Sequence, residues 1–252
     1  MISKNQIKFV KQLEMKKHRQ REGLFVAEGP KVVGDLLAAG FEPHTIYATE
    51  EWGENLTSHL SALTSTVTPD ELRKLSFLQH PQQVLAVFSI RNRSNEAPSG
   101  AVGGDSLTLA LDGIQDPGNL GTIIRIADWF GIDTIVCSLD TADAWSPKVV
   151  QATMGSIARV AISYTDLKEY LSHTTLPVCG TLLDGDNIYT QELPQEAIIV
   201  MGNEGNGISP DIRQLVTHRL FIPQYRHGAE SLNVAIATAI TCAEFRRRFA
   251  AG

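Results

Sequence analysis

Apolar positions recur at helical spacing near the start of the chain, where Ile7, Val10 and Leu13 share one face. Lys4, Lys8 and Lys11 occupy other positions of the same stretch, and Lys16 and Arg19 follow a turn further on. Ser3 followed by Gln6 has the form of a capping box and predicts where this helix begins. LFVAEG then predicts a short strand. Gly29-Pro30 opens a second helix, with proline suited to the first helical position, and the helix ends near Gly40. HTIYAT predicts a strand, ENLTSHLSAL a helix and STVT a short strand. Thr68-Pro69-Asp70-Glu71 repeats the capping-box form and starts a further helix, and VLAVFSI closes the pattern as a buried strand. This alternation predicts a small α/β domain over residues 1–90.

Between residues 91 and 106 the character changes. RNRSNEAPSGAVGGDS holds almost no large apolar side chain and is rich in Gly, Ser, Pro and Asn, which predicts a linker. A second alternation fills residues 107–252. LTLALD, DTIVCS, RVAIS, LPVCGTLL, AIIVMG and HRLFIP read as strands. GNLGTIIRIADWFG is a loop running into a helix that stops at Gly131, and SPKVVQATMG, DLKEYLSH, PDIRQLV and LNVAIATAITCAEFRRRF are helices. Near-continuous apolar strands separated by helices predict a parallel sheet covered on both faces.

Composition bounds the class. The 252 residues are 43% hydrophobic and 20% charged, close to the globular average. No stretch approaches the ~20 apolar residues needed to cross a bilayer, so no membrane partner is expected. The N-terminal segment lacks the apolar core of a secretion signal. It is basic and amphipathic, as a transit peptide is, but its capping pattern favours a folded helix. Cys137, Cys179 and Cys242 are odd in number and form neither a CxxC pair nor a zinc-ligand spacing. A reducing, cytoplasmic setting and no metal centre are therefore expected. The net charge is −6, yet residues 1–31 carry eight Lys/Arg against three Asp/Glu. A basic end on an acidic chain suits local contact with phosphates, or it is a solvated helix face.

Three loops at the carboxyl ends of predicted strands hold the candidate chemistry, which is where open α/β sheets place ligands. The first spans residues 112–125, and Asn119 and Arg125 flank the expected helix start. An amide and a guanidinium near a helix N-terminus suit an anion. The second, Val200-Met-Gly-Asn-Glu-Gly-Asn-Gly207, has glycines that let the backbone turn tightly around Glu204. Alone it would be an ordinary strand-to-helix turn. The third runs from Ile222-Pro223 to Ser231, Leu232 and Asn233, where capping of the last helix is the commonest role for Ser231 and Asn233.

The order of these motifs resembles the SpoU–TrmH family of knotted RNA ribose methyltransferases. Its NxGxxxR motif is matched by Asn119-Leu-Gly121-Thr-Ile-Ile-Arg125, its GNEG strand end by residues 202–205, and its IP…ESLNV motif by Ile222-Pro223 and residues 230–234. Lys17-His-Arg19 with GLFVAEG, and PQQVLAVF at residues 81–88, are similar to the ribosomal-protein-like substrate-binding domain often fused to that catalytic unit. The resemblance implies a C-terminal trefoil knot and a homodimer through the catalytic domain. It implies S-adenosylmethionine as cofactor, held largely by backbone groups at Thr181, Leu182, Met201, Gly202, Ile222 and Leu232. The catalytic set carried over is Arg125, Asn119, Glu204, Ser231 and Asn233, with Arg125 of one subunit facing the cofactor site of the other.

The implied reaction is methyl transfer to a ribose 2′-hydroxyl without a metal. Arg125 is expected to grip a phosphate and stabilise developing negative charge rather than to act as the base, since a guanidinium does not readily give up its proton. Lys16, Lys17 and Arg19 are the expected RNA contacts, and ribosomal RNA is favoured over transfer RNA. A non-catalytic RNA-binding or assembly factor with the same fold is the alternative. The loop after Pro223 is one residue longer than the family pattern, and Arg226 and His227 within it are either RNA contacts or plain surface residues.

Overall fold

The computed structural model describes residues 2–54, 56–91, 106–225 and 231–249, so Arg226 and His227 lie outside the described residues. The chain divides into two compact units, Met1–Arg91 with Asp143–Ala158, and Asn92–Ala142 with Arg159–Gly252.

The first unit contains α1 (Lys4–Gln12), α2 (Lys16–Glu22), β1 (Leu24–Glu28), α3 (Pro30–Ala38), β2 (Pro43–Ala48), α4 (Glu50–Gly53), α5 (Ser58–Ala62), β3 (Thr64–Thr66), α6 (Pro69–Leu75) and β4 (Val84–Ser89). Its sheet has the order β1-β4-β2-β3, with β4 antiparallel to both neighbours. Both capping boxes form as read: Ser3 with Gln6 opens α1 and Thr68 with Glu71 opens α6. Val10, Leu13, Val26, Leu72, Leu75 and Val87 close one core beneath α1 and α6.

The basic N-terminal stretch departs from a single helix. It breaks between α1 and α2 because Arg19, only 3% exposed, turns its guanidinium inward. Nη1 donates to the Leu13 and Glu14 carbonyls at 2.8 and 2.6 Å, two acceptors left open where α1 ends. Nε and Nη2 donate to the Asp143 carboxylate at 3.1 and 2.5 Å. Asp143 begins the later segment that belongs to this unit. There Trp145 packs 4.7 Å from the Phe25 ring, and α8 (Pro147–Ala152) lies on β1.

The second unit contains β5 (Leu107–Asp112), α7 (Pro117–Trp129), β6 (Thr134–Ser138), β7 (Ala161–Thr165), α9 (Leu167–Ser172), β8 (Val178–Asn187), β9 (Ala197–Gly202), α10 (Pro210–Arg213), β10 (His218–Phe221) and α11 (Val234–Phe249). The strands run parallel in the order β10-β8-β9-β5-β6-β7, the parallel sheet expected from the apolar runs. Leu109, Ala110, Leu111, Ile135, Ile198, Ile199 and Val200 have no exposed surface. Packed together, α9 and α10 cover Ala110, Val136, Ile198 and Val200. α7 and α11 pair with each other. Strands β5, β6 and β7 step outwards in one direction and β9, β8 and β10 lie in the other, so the order reverses between β5 and β9. That reversal is the topological switch point, where such sheets bind ligands. Among the described residues no helix is long and apolar enough to cross a membrane.

Candidate active site

Register brings the first two loops side by side. Asp112, the last residue of β5, pairs with Gly202, the last residue of β9. Beyond Asp112, the Asp116 carboxylate accepts from Asn119 N at 2.8 Å and starts α7 at Pro117. The helix therefore begins earlier than read from the sequence: Asn119 already lies in its first turn, and Arg125 two turns on. A proline at the first position and an aspartate cap account for the earlier start.

Asn119 joins all three loops. Its Nδ2 donates to Glu204 Oε1 at 3.0 Å, and its Oδ1 accepts from Asn233 Nδ2 at 2.9 Å. The Glu204 carboxylate also faces the backbone N–H groups of Gln115 and Asp116, both at 3.4 Å. Asn233 does what its position suggested as well, since its Oδ1 accepts from Ala235 N and Ile236 N at 3.0 and 3.3 Å and caps α11. One carboxamide thus ties the first loop to the second by donation and to the third by acceptance.

The glycine loop is shaped by a residue that the sequence reading did not single out. Asn203 Oδ1 accepts from the N–H groups of Gly205 and Asn206, and its Nδ2 donates to Gly113 O at 2.7 Å. An Asn side chain bonding to N–H groups two and three residues on is a turn signal that could have been read from the motif. Asn203 and Gly207 also exchange backbone hydrogen bonds at 2.9 Å. The chain folds back so tightly that a Cβ on Gly202 would lie 2.2 Å from Gly207 C and Ile208 N. Only glycine fits there.

The residues expected around a cofactor sit on three adjoining strands. Met201 is buried and Gly202 half-buried at the end of β9, Thr181 and Leu182 lie on β8, and Ile222 follows β10. Thr181 Oγ1 approaches Val200 O and Met201 Sδ at 3.5 and 3.7 Å. The β8–β10 register jumps between Arg219 and Leu220, so residues 181–185 have no partner in either neighbouring strand. The paired register of β8 with β9 and β10 thus stops at Gly180, immediately before Thr181 and Leu182 and beside the end of β9. Leu232 is 51% exposed just before α11, and Ser231 next to it is exposed.

Arg125 is exposed and makes no hydrogen bond or ion pair with another described residue. With Gly118, Thr122 and Trp129 it forms the outer stripe of α7, and the Trp129 indole is 84% exposed. Lys16 and Lys17 are exposed on α2. Arg19 is not, which corrects the expectation that it faces RNA: its donors are engaged by Asp143 and two carbonyls.

Residues 106–243 match the SpoU rRNA Methylase family, and residues 4–86 match the MRM3-like substrate binding domain. The chain belongs to the SpoU rRNA methylase family. A curated family relative is the 23S rRNA (guanosine(2553)-2'-O)-methyltransferase RlmP of Bacillus subtilis, 31% identical over 94% of this chain and 95% of its own. A TrmH-family structure from Porphyromonas gingivalis is 41% identical, with a TM-score of 0.87 over 98% of this chain and 99% of that one. An AdoMet-bound rRNA methyltransferase structure from Sinorhizobium meliloti is 30% identical, with a TM-score of 0.87 over 98% and 96% of the two chains.

Proposed function

We propose that this chain is an S-adenosylmethionine-dependent ribose 2′-O-methyltransferase acting on ribosomal RNA. The observation that carries this reading is the meeting of Glu204 and Asn233 on Asn119 at the sheet's switch point. The names of the relatives support the substrate class, since RlmP acts on 23S rRNA and the Sinorhizobium meliloti protein is an AdoMet-bound rRNA methyltransferase.

The residues fit the cofactor. Backbone at Thr181 and Leu182, just past the last paired residue Gly180, offers hydrogen-bonding groups to an adenine edge, and Leu182, Ile222 and Leu232 offer apolar cover. Met201 and Gly202 complete the floor. S-adenosylmethionine supplies a methyl group already activated by its sulfonium, so the protein's task is alignment and charge management. Glu204, Asn119 and Asn233 fix the walls of that pocket, and Ser231 lines its mouth. Arg125, without a partner among the described residues, grips the phosphate beside the target ribose and stabilises negative charge developing on the 2′-oxygen. It does not serve as the base, because a guanidinium keeps its proton in proteins.

The site is shared in a homodimer through the second unit, with Arg125 of one subunit serving the pocket of the other. Supporting this, Trp129 on α7 and Ile236 on α11 are 84% and 54% exposed on a helix pair that also carries Arg125. The C-terminal segment that ends in α11 threads a trefoil knot. In favour, β10 is an edge strand, yet α11 packs against α7, which follows central β5. Residues 1–90 select the RNA, with Lys16 and Lys17 on phosphates, and residues 107–252 carry the chemistry. The enzyme works in the cytoplasm, in keeping with three buried, free cysteines, of which Cys179 and Cys242 have thiols pushed up to about 12 by burial. The test is to incubate the protein with ribosomal RNA and methyl-tritiated S-adenosylmethionine, then digest to nucleosides. Label in a 2′-O-methylnucleoside is expected; label confined to a base would overturn the reading.

A further inference from the structure

The first unit holds a cleft that the methyl-transfer site does not use. It has a volume of about 590 Å³ and lies where β2 ends and β4 begins, with Thr49, Glu51, Arg73, His80, Gln82 and Gln83 along its walls. That size falls within the range of small-molecule sites.

Two features mark it as built. Gln83 has φ 44°, a left-handed backbone that residues other than glycine adopt uncommonly. The turn is held from both sides: Val84 N–H donates back to Gln82 O, closing a three-residue turn, and Gln83 O accepts from Thr49 N at 2.8 Å. Three-residue turns at positive φ are rare and strained, and strain of this kind gathers at ligand sites. Glycine would relieve it, yet the chain places there an amide side chain that lines the cleft. The second feature is the Thr49 hydroxyl, which is buried, lines the same cleft and has no hydrogen-bond partner among the described residues.

The lining selects the ligand's chemistry. Gln79, Gln82 and Gln83 offer paired donors and acceptors, the combination that reads a base edge, and His80 and Arg73 offer planar groups for stacking. No lysine lines the cleft among the described residues. An adjoining cleft of about 620 Å³ shares Thr49 and Glu51 and adds Glu50, Glu54 and Glu71. Such an acidic flank repels phosphate and accepts hydrogen bonds from exocyclic amino groups. We propose that this cleft takes one unstacked nucleobase of the RNA substrate and reads its edge, a deepening that rests on the RNA methyltransferase reading above.

The test uses the full chain, labelled single-stranded ten-nucleotide RNAs of mixed sequence, and a matched abasic strand, with affinity read by fluorescence anisotropy. Gln83→Gly removes the side chain while suiting the backbone, so its melting temperature should equal or exceed that of the parent. Gln83→Gly and His80→Ala should each weaken binding of the base-bearing RNA by about tenfold, the scale of losing one base contact. The abasic strand should bind the parent and both variants equally weakly. Parent-like affinity in both variants, or a parent that binds no RNA or does not distinguish the abasic strand, would overturn the proposal. Heat of S-adenosylmethionine binding measured alongside separates the two readings. With that heat intact in the parent, failure falls on the cleft alone; without it, failure falls on the methyltransferase reading.

Discussion

Asn233 donates its side-chain N–H to the Asn119 carbonyl at 2.9 Å across 114 residues of sequence, while its own carbonyl caps α11. One short side chain therefore both starts the terminal helix and fastens it to the first turn of α7. Asn233→Ala should lower unfolding stability by about 1–2 kcal/mol, the scale of a lost cap together with a hydrogen bond. Asn119→Ala should cost about 1 kcal/mol by urea unfolding. Because the two residues share a bond, the double variant should fall short of the sum by about 0.5 kcal/mol or more. Strict additivity would mean that the bond does not form in solution.

Arg125 has the opposite character. It is exposed and has no partner among the described residues, so Arg125→Ala should leave the unfolding midpoint within about 0.5 kcal/mol of the parent. Methyl transfer should nonetheless fall by roughly 10²-fold or more, the scale of removing a transition-state donor, with S-adenosylmethionine affinity retained. Mixing this variant with an inactive Asn233→Ala partner should restore activity, since half of the mixed dimers' sites would be intact. No recovery on mixing would place Arg125 in its own subunit's pocket.

Within the basic N-terminus, two roles separate by exposure. Arg19→Ala leaves Asp143 and two carbonyls without their donor and should destabilise the first unit by about 3–5 kcal/mol. Lys16→Ala with Lys17→Ala should not alter stability measurably. That pair should instead lower RNA affinity and reduce the slope of log affinity against log salt by about 2. A stable Arg19→Ala protein with a reduced salt slope would reverse these assignments.

Much of this arrangement was legible in the chain. Both capping boxes, the alternation of apolar runs and the three polar loops each rest on spacing within ten residues or so, which a single sequence displays. The break at Leu13 was not legible, because it depends on Arg19 meeting Asp143, and a pairing across 124 residues leaves no local signature. The start of α7 was misplaced for a different reason. Asp116-Pro117 lies inside the first polar loop of the sequence, yet it is also an aspartate cap followed by a first-turn proline. Nor could spacing show that Asn119 would face Glu204 and Asn233 together, since that depends on the β5–β9 register.

Glu28 offers a test through pH. It is 5% exposed, its carboxylate accepts from the Ser76 hydroxyl and from Phe77 N at 2.8 Å, and burial outweighs these bonds and pushes its pKa up. The folded state then holds the proton more tightly than the unfolded chain does. Its contribution to stability is complete below the unfolded carboxylate pKa of about 4.3 and declines as pH rises through the higher folded value. Glu28→Gln lacks that decline. Measured from about pH 4 to pH 7, the melting temperature of the parent should fall relative to Glu28→Gln. A constant difference across that range would show that Glu28 titrates alike in both states.

Calorimetry with S-adenosylmethionine, run on the parent and on Gly202→Ala, addresses the pocket at the switch point most directly. Saturable heat is expected from the parent, with one cofactor per site and a matching rise in melting temperature. Gly202→Ala, which forces a methyl group into the Gly207–Ile208 backbone, should lose that heat. A parent protein that gives neither heat nor a melting shift would contradict the account.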